Sequence, residues 1–325
     1  TVQDNIKGAK GSAEILTPAL VLGSLESRYQ TAIDNTGGKI SHDIASALVG
    51  SAFTIDHYIP AAHIALEVYS SYIAAHEVEK KDICEARKYD LADDAPAQEV
   101  VVAVWDSGVD IDIFEATGQM WTNSAEIPAN GIDDDDNNFV DDVHGIAYDL
   151  DSDVVPELLQ PIERKYGADP KTLQVHAKGM DDIYATIDSP EATELRKLIA
   201  ALPQEEVEGF MESIGLYSGY AHGTHVSGIA LEGNPFARLL VARMTYNHKQ
   251  MPLQPTIENA HNNAEMFRAA ARYFREQQVK AVNMSWGGSL RGIESALEAH
   301  NAGGDADERK ALARKIYAIG DAALR

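Results

Sequence analysis

Val100-Val101-Val102-Ala103-Val104-Trp105-Asp106-Ser107-Gly108 is the stretch on which the reading of this chain turns. A near-continuous β-branched run suits a strand covered on both faces, as parallel sheets are when helices pack above and below them. The run ends in an aspartate, so Asp106 falls at the carboxyl end of a buried strand, where open α/β sheets collect ligands and catalytic groups. Strand patterns recur at 237–244 and 279–284, separated by a helical stretch over 256–277. This alternation predicts right-handed βαβ crossovers and an α/β fold, a parallel β-sheet with helices on both faces.

Upstream of the polar linker Ala92-Asp93-Asp94-Ala95-Pro96 the pattern is helical, with apolar stripes at Ile44, Leu48 and Ile55 and at Ile64, Val68 and Tyr72. Residues 1–96 read as a helical accessory or prosegment-like region, and the mixed-sign stretch 80–88 as a solvated face. Residues 97–325 carry the sheet. Within them, 151–218 is too long for a plain loop and reads as a helical insertion. Ser189 and Pro190 form an N-cap and first-turn pair ahead of Leu195, Leu198 and Leu202, Pro203 ends that helix, and Val207, Phe210, Met211 and Ile214 make the next apolar face. Helices are also expected over 293–302 and 305–325.

With 325 residues, 35.3 kDa and 45% hydrophobic residues, the chain can bury one large or two ordinary cores. A net charge of −24 and a pI near 4.7 exclude nucleic-acid backbones and anionic membrane surfaces as partners, because both would be repelled. Cys84 is the sole cysteine, which excludes an intramolecular disulfide and a thiolate zinc site. No apolar run reaches the roughly 18 residues of a membrane span. The sequence starts at Thr1, so a processed or trimmed product is expected.

Tyr220-Ala221-His222-Gly223-Thr224-His225-Val226-Ser227-Gly228 reads as a loop turning into a buried helix. A histidine there lies near the positive end of the helix dipole, which disfavours imidazolium and keeps a neutral ring as a base. Asp106 can hold one ring nitrogen of His222 while the other takes a proton from a serine, two parts of an acyl-transfer triad. The competing reading, a metal held by His222 and His225, needs a third ligand that no recognisable motif supplies.

Val102-Ala103-Val104-Trp105-Asp106-Ser107-Gly108-Val109 resembles the aspartate motif of the subtilisin-like serine proteases, the subtilases. His222-Gly223-Thr224-His225-Val226-Ser227-Gly228 resembles their histidine motif, and Val282-Asn283-Met284-Ser285-Trp286-Gly287-Gly288 their substrate-binding strand. The resemblance implies that Asp106 and His222 are catalytic and that His225 is structural. It further implies that Ser285, Trp286 and Gly287 form an edge for an extended peptide, with Trp286 walling a pocket. The family's nucleophile turn, Gly-Thr-Ser-like, and its oxyanion stretch, Ala-Gly-Asn-like, do not follow Gly288. Asn283, Ser227 and Ser285 belong to motifs with other roles. The expectation is a serine endopeptidase whose serine and oxyanion asparagine lie on a separate C-terminal fragment, so that this chain alone does not hydrolyse peptides. The alternatives are a non-catalytic cleft-bearing peptide-binding protein and a calcium-dependent structural module.

Nine Asp residues fall from Asp133 to Asp153, and no Lys or Arg occurs from Tyr89 through Glu163. Within 130–142, oxygen donors alternate as a loop around a hard cation requires, and the segment also resembles a calcium-holding loop between the two motifs in some subtilases. Asp133, Asp135, Asn137 and Asp141 are the expected Ca²⁺ ligands, with Asn138 at the position where glycine usually turns such a loop. A solvated acidic turn is the alternative.

Overall fold

The computed structural model describes residues 2–77, 84–160, 162 and 169–325. Residues 80–83 of the mixed-sign stretch lie outside them. The chain opens with four helices, α1 (Val2–Ile15), α2 (Pro18–Asn35), α3 (His42–Phe53) and α4 (Ile59–Ala75), the last two continuous through one π-helical turn, Thr54–Tyr58. Thr17 and Ser41 cap α2 and α3 by accepting from Leu20 N and Ile44 N. Ile44 is buried as expected, but Ile64 and Val68 are exposed. Helix α4 lies against α1 with Ala62, Leu66, Tyr69 and Ile73 half-buried instead. Apolar residues occur on almost every side of α4, so periodicity alone selects the wrong face.

The sheet follows: β1 (Val100–Asp106), the short helix α5 (Asp112–Glu115), β2 (Gly145–Tyr148) and β3 (Val154–Val155). Three helices come next, α6 (Pro170–Ala185), α7 (Pro190–Ala201) and α8 (Val207–Leu231). Then come β4 (Ala237–Met244), α9 (Ile257–Glu276), β5 (Ala281–Asn283), α10 (Leu290–Ala299) and α11 (Ala306–Leu324). The strand order is β3-β2-β4-β1-β5, with every pair parallel except β2 with β3. The α/β reading of the sequence is what the structure has.

Both faces of β1 are covered, which is why its sequence is apolar up to Asp106. Ala103 and Trp105 pack with Leu240, Ala242, Met266, Ala270 and Phe274 on the α9 side. Val104 packs with Leu239, Val241 and Leu231 on the α8 side, with Val102 and Val226 against them. Asp106 alternates onto the α8 side, and in register it stands beside Arg243.

The expected insertion and the N-terminal region share one core. Ile15 of α1 and Leu20 of α2 pack with Met180 and Ile183 of α6, Leu195 and Ile199 of α7, and Phe210 and Ile214 of α8. Gly11 permits the contact, because a Cβ there would stand 2.6 Å from Ile183 O. The last insertion helix does not stop near residue 218; α8 runs on through His222. Leu195 is 1% exposed at the centre of this core. Leu195→Ala is therefore expected to cost about 2–5 kcal/mol in denaturant unfolding. Hydrogen exchange should quicken in α1 as well as in α6 and α7; acceleration confined to α6 and α7 would show that the two regions are not one body.

Candidate active site

Asp106 ends β1 with its side chain only 2% exposed. Its Oδ1 accepts the Ser107 amide at 2.7 Å and lies 2.6 Å from His222 Nδ1. With the carboxylate as acceptor, Nδ1 carries the proton and donates, which leaves Nε2 with a lone pair. The His222 side chain is 48% exposed, and among the described residues no hydrogen bond reaches Nε2. Asp106 Oδ2 is buried without a partner.

A seam of close contacts fixes that geometry. The Gly223 amide donates to Ser107 Oγ at 3.1 Å, and the Asp110 amide donates to Thr224 Oγ1 at 2.9 Å. A Cβ on Gly223 would stand 2.3 Å from Gly108 O, so only glycine lets α8 approach the end of β1 this closely. His222 sits fifteen residues beyond the helix start at Val207, not at an N-terminus as its sequence suggests. The helix dipole acts within the first turn, so it does not reach this ring. His225 is exposed and makes no hydrogen bond among the described residues.

Ser285, Trp286 and Gly287 follow β5 at the sheet edge, with Ser285 and Gly287 exposed and Ser285 Oγ donating to Asn283 Oδ1 at 2.9 Å. Trp286 is anchored: its indole N–H donates to Trp105 O at 2.7 Å, and its ring lies 5.1 Å from Trp105 and 5.5 Å from Phe267. That bond ties the segment to the residue preceding Asp106. Trp286 also lines, with Phe267, Met284, Ile293, Ile316 and Tyr317, an apolar groove of about 500 Å³. Tyr246, just past β4, went unnoticed in the sequence; burial and the Asp106 charge push its phenol far above the ordinary range.

In the acidic loop the structure brings together Asp133 and Asp135 with Glu126, whose ligand-type oxygens lie within 4.8 Å of one another. Glu126 is 6% exposed; its Oε1 accepts the Asp134 amide at 2.9 Å and its Oε2 has no partner. Asp135 Oδ1 is likewise buried and unpartnered. Both Asp133 oxygens also accept backbone amides, from Asn137 at 3.1 Å and Asn138 at 2.8 Å, and the other two expected ligands are hydrogen-bonded as well. Both Asp141 oxygens accept backbone amides, from Asn130 at 3.0 Å and Gly131 at 2.9 Å. Asn137 Oδ1 accepts the Phe139 amide at 2.8 Å while its Nδ2 donates to Asp142. Glu126 lies outside the alternating run and reaches it by chain reversal, so spacing did not reveal it.

Burial, and then the neighbouring Asp142, Asp135 and Asp134 charges, push the Glu126 carboxyl up against the pull of its backbone hydrogen bond. Burial likewise raises Asp142, against hydrogen bonds from Asn137 and Asn123. A carboxyl raised in the fold binds its proton more tightly than in the open chain. Its stabilising effect is present at low pH and lost as pH rises through the raised value. With divalent cations removed, amide exchange over 123–142, corrected for intrinsic rates, should therefore be slower near about pH 5 than near about pH 7. Faster exchange at the lower pH would contradict it.

A sequence profile of the Subtilase family matches residues 97–320, a range that holds β1, α8, β5 and the acidic loop. Neither the curated proteins nor the solved structures return a match. The profile spans more than half of the chain, and its range contains the Asp106–His222 pair. The chain belongs to the subtilase family of subtilisin-like serine peptidases.

Proposed function

We propose that the chain supplies the aspartate and histidine of an Asp-His-Ser endopeptidase, and that polypeptide other than residues 1–325 supplies the serine and the oxyanion asparagine. The observation that carries this reading is the 2.6 Å contact between Asp106 Oδ1 and His222 Nδ1 on a ring that is half-exposed and unpartnered at Nε2. The candidate serines in the chain's own motifs are hydrogen-bonded elsewhere or out of reach of substrate. Ser107 Oγ holds the Gly223 amide, Ser227 is fully buried, and Ser285 Oγ is bonded to Asn283. β5 is one edge of the sheet; Val282 within it and Met284 just past it are exposed, and Met284 lines the apolar groove. An additional strand bearing the nucleophile would satisfy that edge. The helices of 1–96 and 151–218 are read as one accessory body on the catalytic unit of 97–325.

In this mechanism the substrate is a peptide or protein segment, extended against residues 285–287. The serine hydroxyl attacks the scissile carbonyl as its proton passes to His222 Nε2. The imidazolium is stabilised by buried Asp106, which stays ionised. Nε2 then returns the proton to the departing amine, and a water repeats the sequence on the acyl-enzyme. His222→Ala should lower kcat of the assembled peptidase on the order of 10⁶-fold with KM little changed. Equal hydrolysis by wild type and His222→Ala would sink the assignment.

The donor set of the acidic loop fits Ca²⁺. Glu126, Asp133 and Asp135 offer only hard oxygens, and two of these oxygens are buried without partners, as an ion's ligands would be in its absence. Those three residues would hold the ion. Bound there, it would offset carboxylate repulsion and fix the turn that follows β1. Added Ca²⁺ should raise the melting temperature, and Glu126→Gln should abolish that rise; a melting temperature indifferent to chelator would refute the site.

A further inference from the structure

The loop after β4, residues 245–256, is tied to three other elements. Glu212 of α8, 5% exposed, accepts Lys249 Nζ at 2.6 Å and the Gln250 amide at 3.2 Å. Arg28 of α2 reaches Gln250 Oε1 at 3.3 Å, and His300, at the end of α10, donates from Nε2 to Pro252 O at 2.7 Å. Inside the loop, Asn247 Oδ1 accepts the Lys249 amide at 3.1 Å and Asn247 Nδ2 donates to Met251 O at 3.2 Å. Gly215 lets the backbones close up, since a Cβ there would stand 3.3 Å from His248 O. The near end of the loop flanks the catalytic pair. Tyr246 and Asn247, with Ser107, Gly219 and Tyr220, line a cavity of about 40 Å³, and the Asp106 charge reaches the Tyr246 phenol.

We propose that Glu212 is a positioning residue of the peptidase: through Lys249 and the Gln250 amide it sets residues 245–256 as one wall of the substrate cleft. Glu212 and His222 lie on the same uninterrupted helix, ten residues apart. That separation is about 15 Å along the axis. One rigid element therefore carries both the catalytic base and the anchor of the wall, and the distance between them is set by helix geometry. A carboxylate this buried is costly to leave short of a cation, and Lys249 supplies one from the loop itself. The helical body thus acts on substrate binding through Glu212, without touching the reacting atoms. This rests on the peptidase reading above, because a cleft wall has meaning only where a peptide binds.

The test compares Glu212→Ala, Lys249→Met and Glu212→Gln, the last of which keeps an acceptor for the Gln250 amide. In this chain, amide exchange over 246–251 should quicken in the first two variants and less in Glu212→Gln. In the assembled peptidase, KM for a peptide should rise by about tenfold while kcat stays within about twofold. The NMR signal of the His222 Nδ1 proton should not move. Should Glu212→Ala fail to fold, Lys249→Met carries the comparison. Unchanged exchange over 246–251, unchanged KM, or a fall in kcat with a displaced His222 signal would overturn the proposal. Absence of hydrolysis by the wild-type assembly would instead overturn the peptidase reading, and the exchange measurement would still decide whether Glu212 holds the loop.

Discussion

Helix α8 meets the end of β1 at a point where its own backbone has no room for a side chain. Gly223 stands over Gly108, and around this contact the Ser107 hydroxyl and the Thr224 hydroxyl each take a backbone amide from the opposite element. His222 precedes Gly223, and Asp106 precedes Ser107, so the seam places imidazole and carboxylate within hydrogen-bond reach. A larger residue at 223 would lift the helix and open that pair. The remaining architecture serves the seam: β1 is held between β4 and β5, and α8 is braced on the N-terminal side of His222 by the helical core around Leu195 and Ile199.

Electrostatics give the pair its direction. Asp106 is buried and close to His222, whereas the ring itself is half open, so the imidazole has a carboxylate on one side and open space on the other. Elsewhere the protein's excess of acid is managed locally. Backbone amides absorb Asp133 and Asp141, and Lys249 absorbs Glu212. Glu126 and Asp135 keep buried oxygens with nothing opposite them. Such atoms are costly unless a cation is supplied, which is why the acidic turn and the Asp106–His222 pair call for different explanations.

Much of this was legible in the residues. β1 announced itself because burial on both faces leaves no polar position until Asp106, and β4 and α9 fell where their patterns lay. Ser189 and Pro190 marked the start of α7 correctly, since capping is a local interaction. β2 was missed: four residues after an acidic loop carry too little pattern. The start of α8 was misplaced for a more instructive reason. Gly219, Gly223 and nearby hydroxyls look like a turn, yet Gly223 is required by a contact with a strand more than one hundred residues earlier, and a distant contact leaves no local signature. Glu126 and the buried role of Glu212 were hidden in the same way, because their partners come from chain reversal and from a loop on another element.

The most direct test of the account is covalent labelling of the assembled peptidase with a serine-directed phosphonate, followed by mass-spectrometric location of the adduct. The account predicts a labelled serine outside residues 1–325, with labelling abolished by His222→Ala. A labelled serine inside residues 1–325, such as Ser227 or Ser285, or labelling that survives His222→Ala, would contradict it.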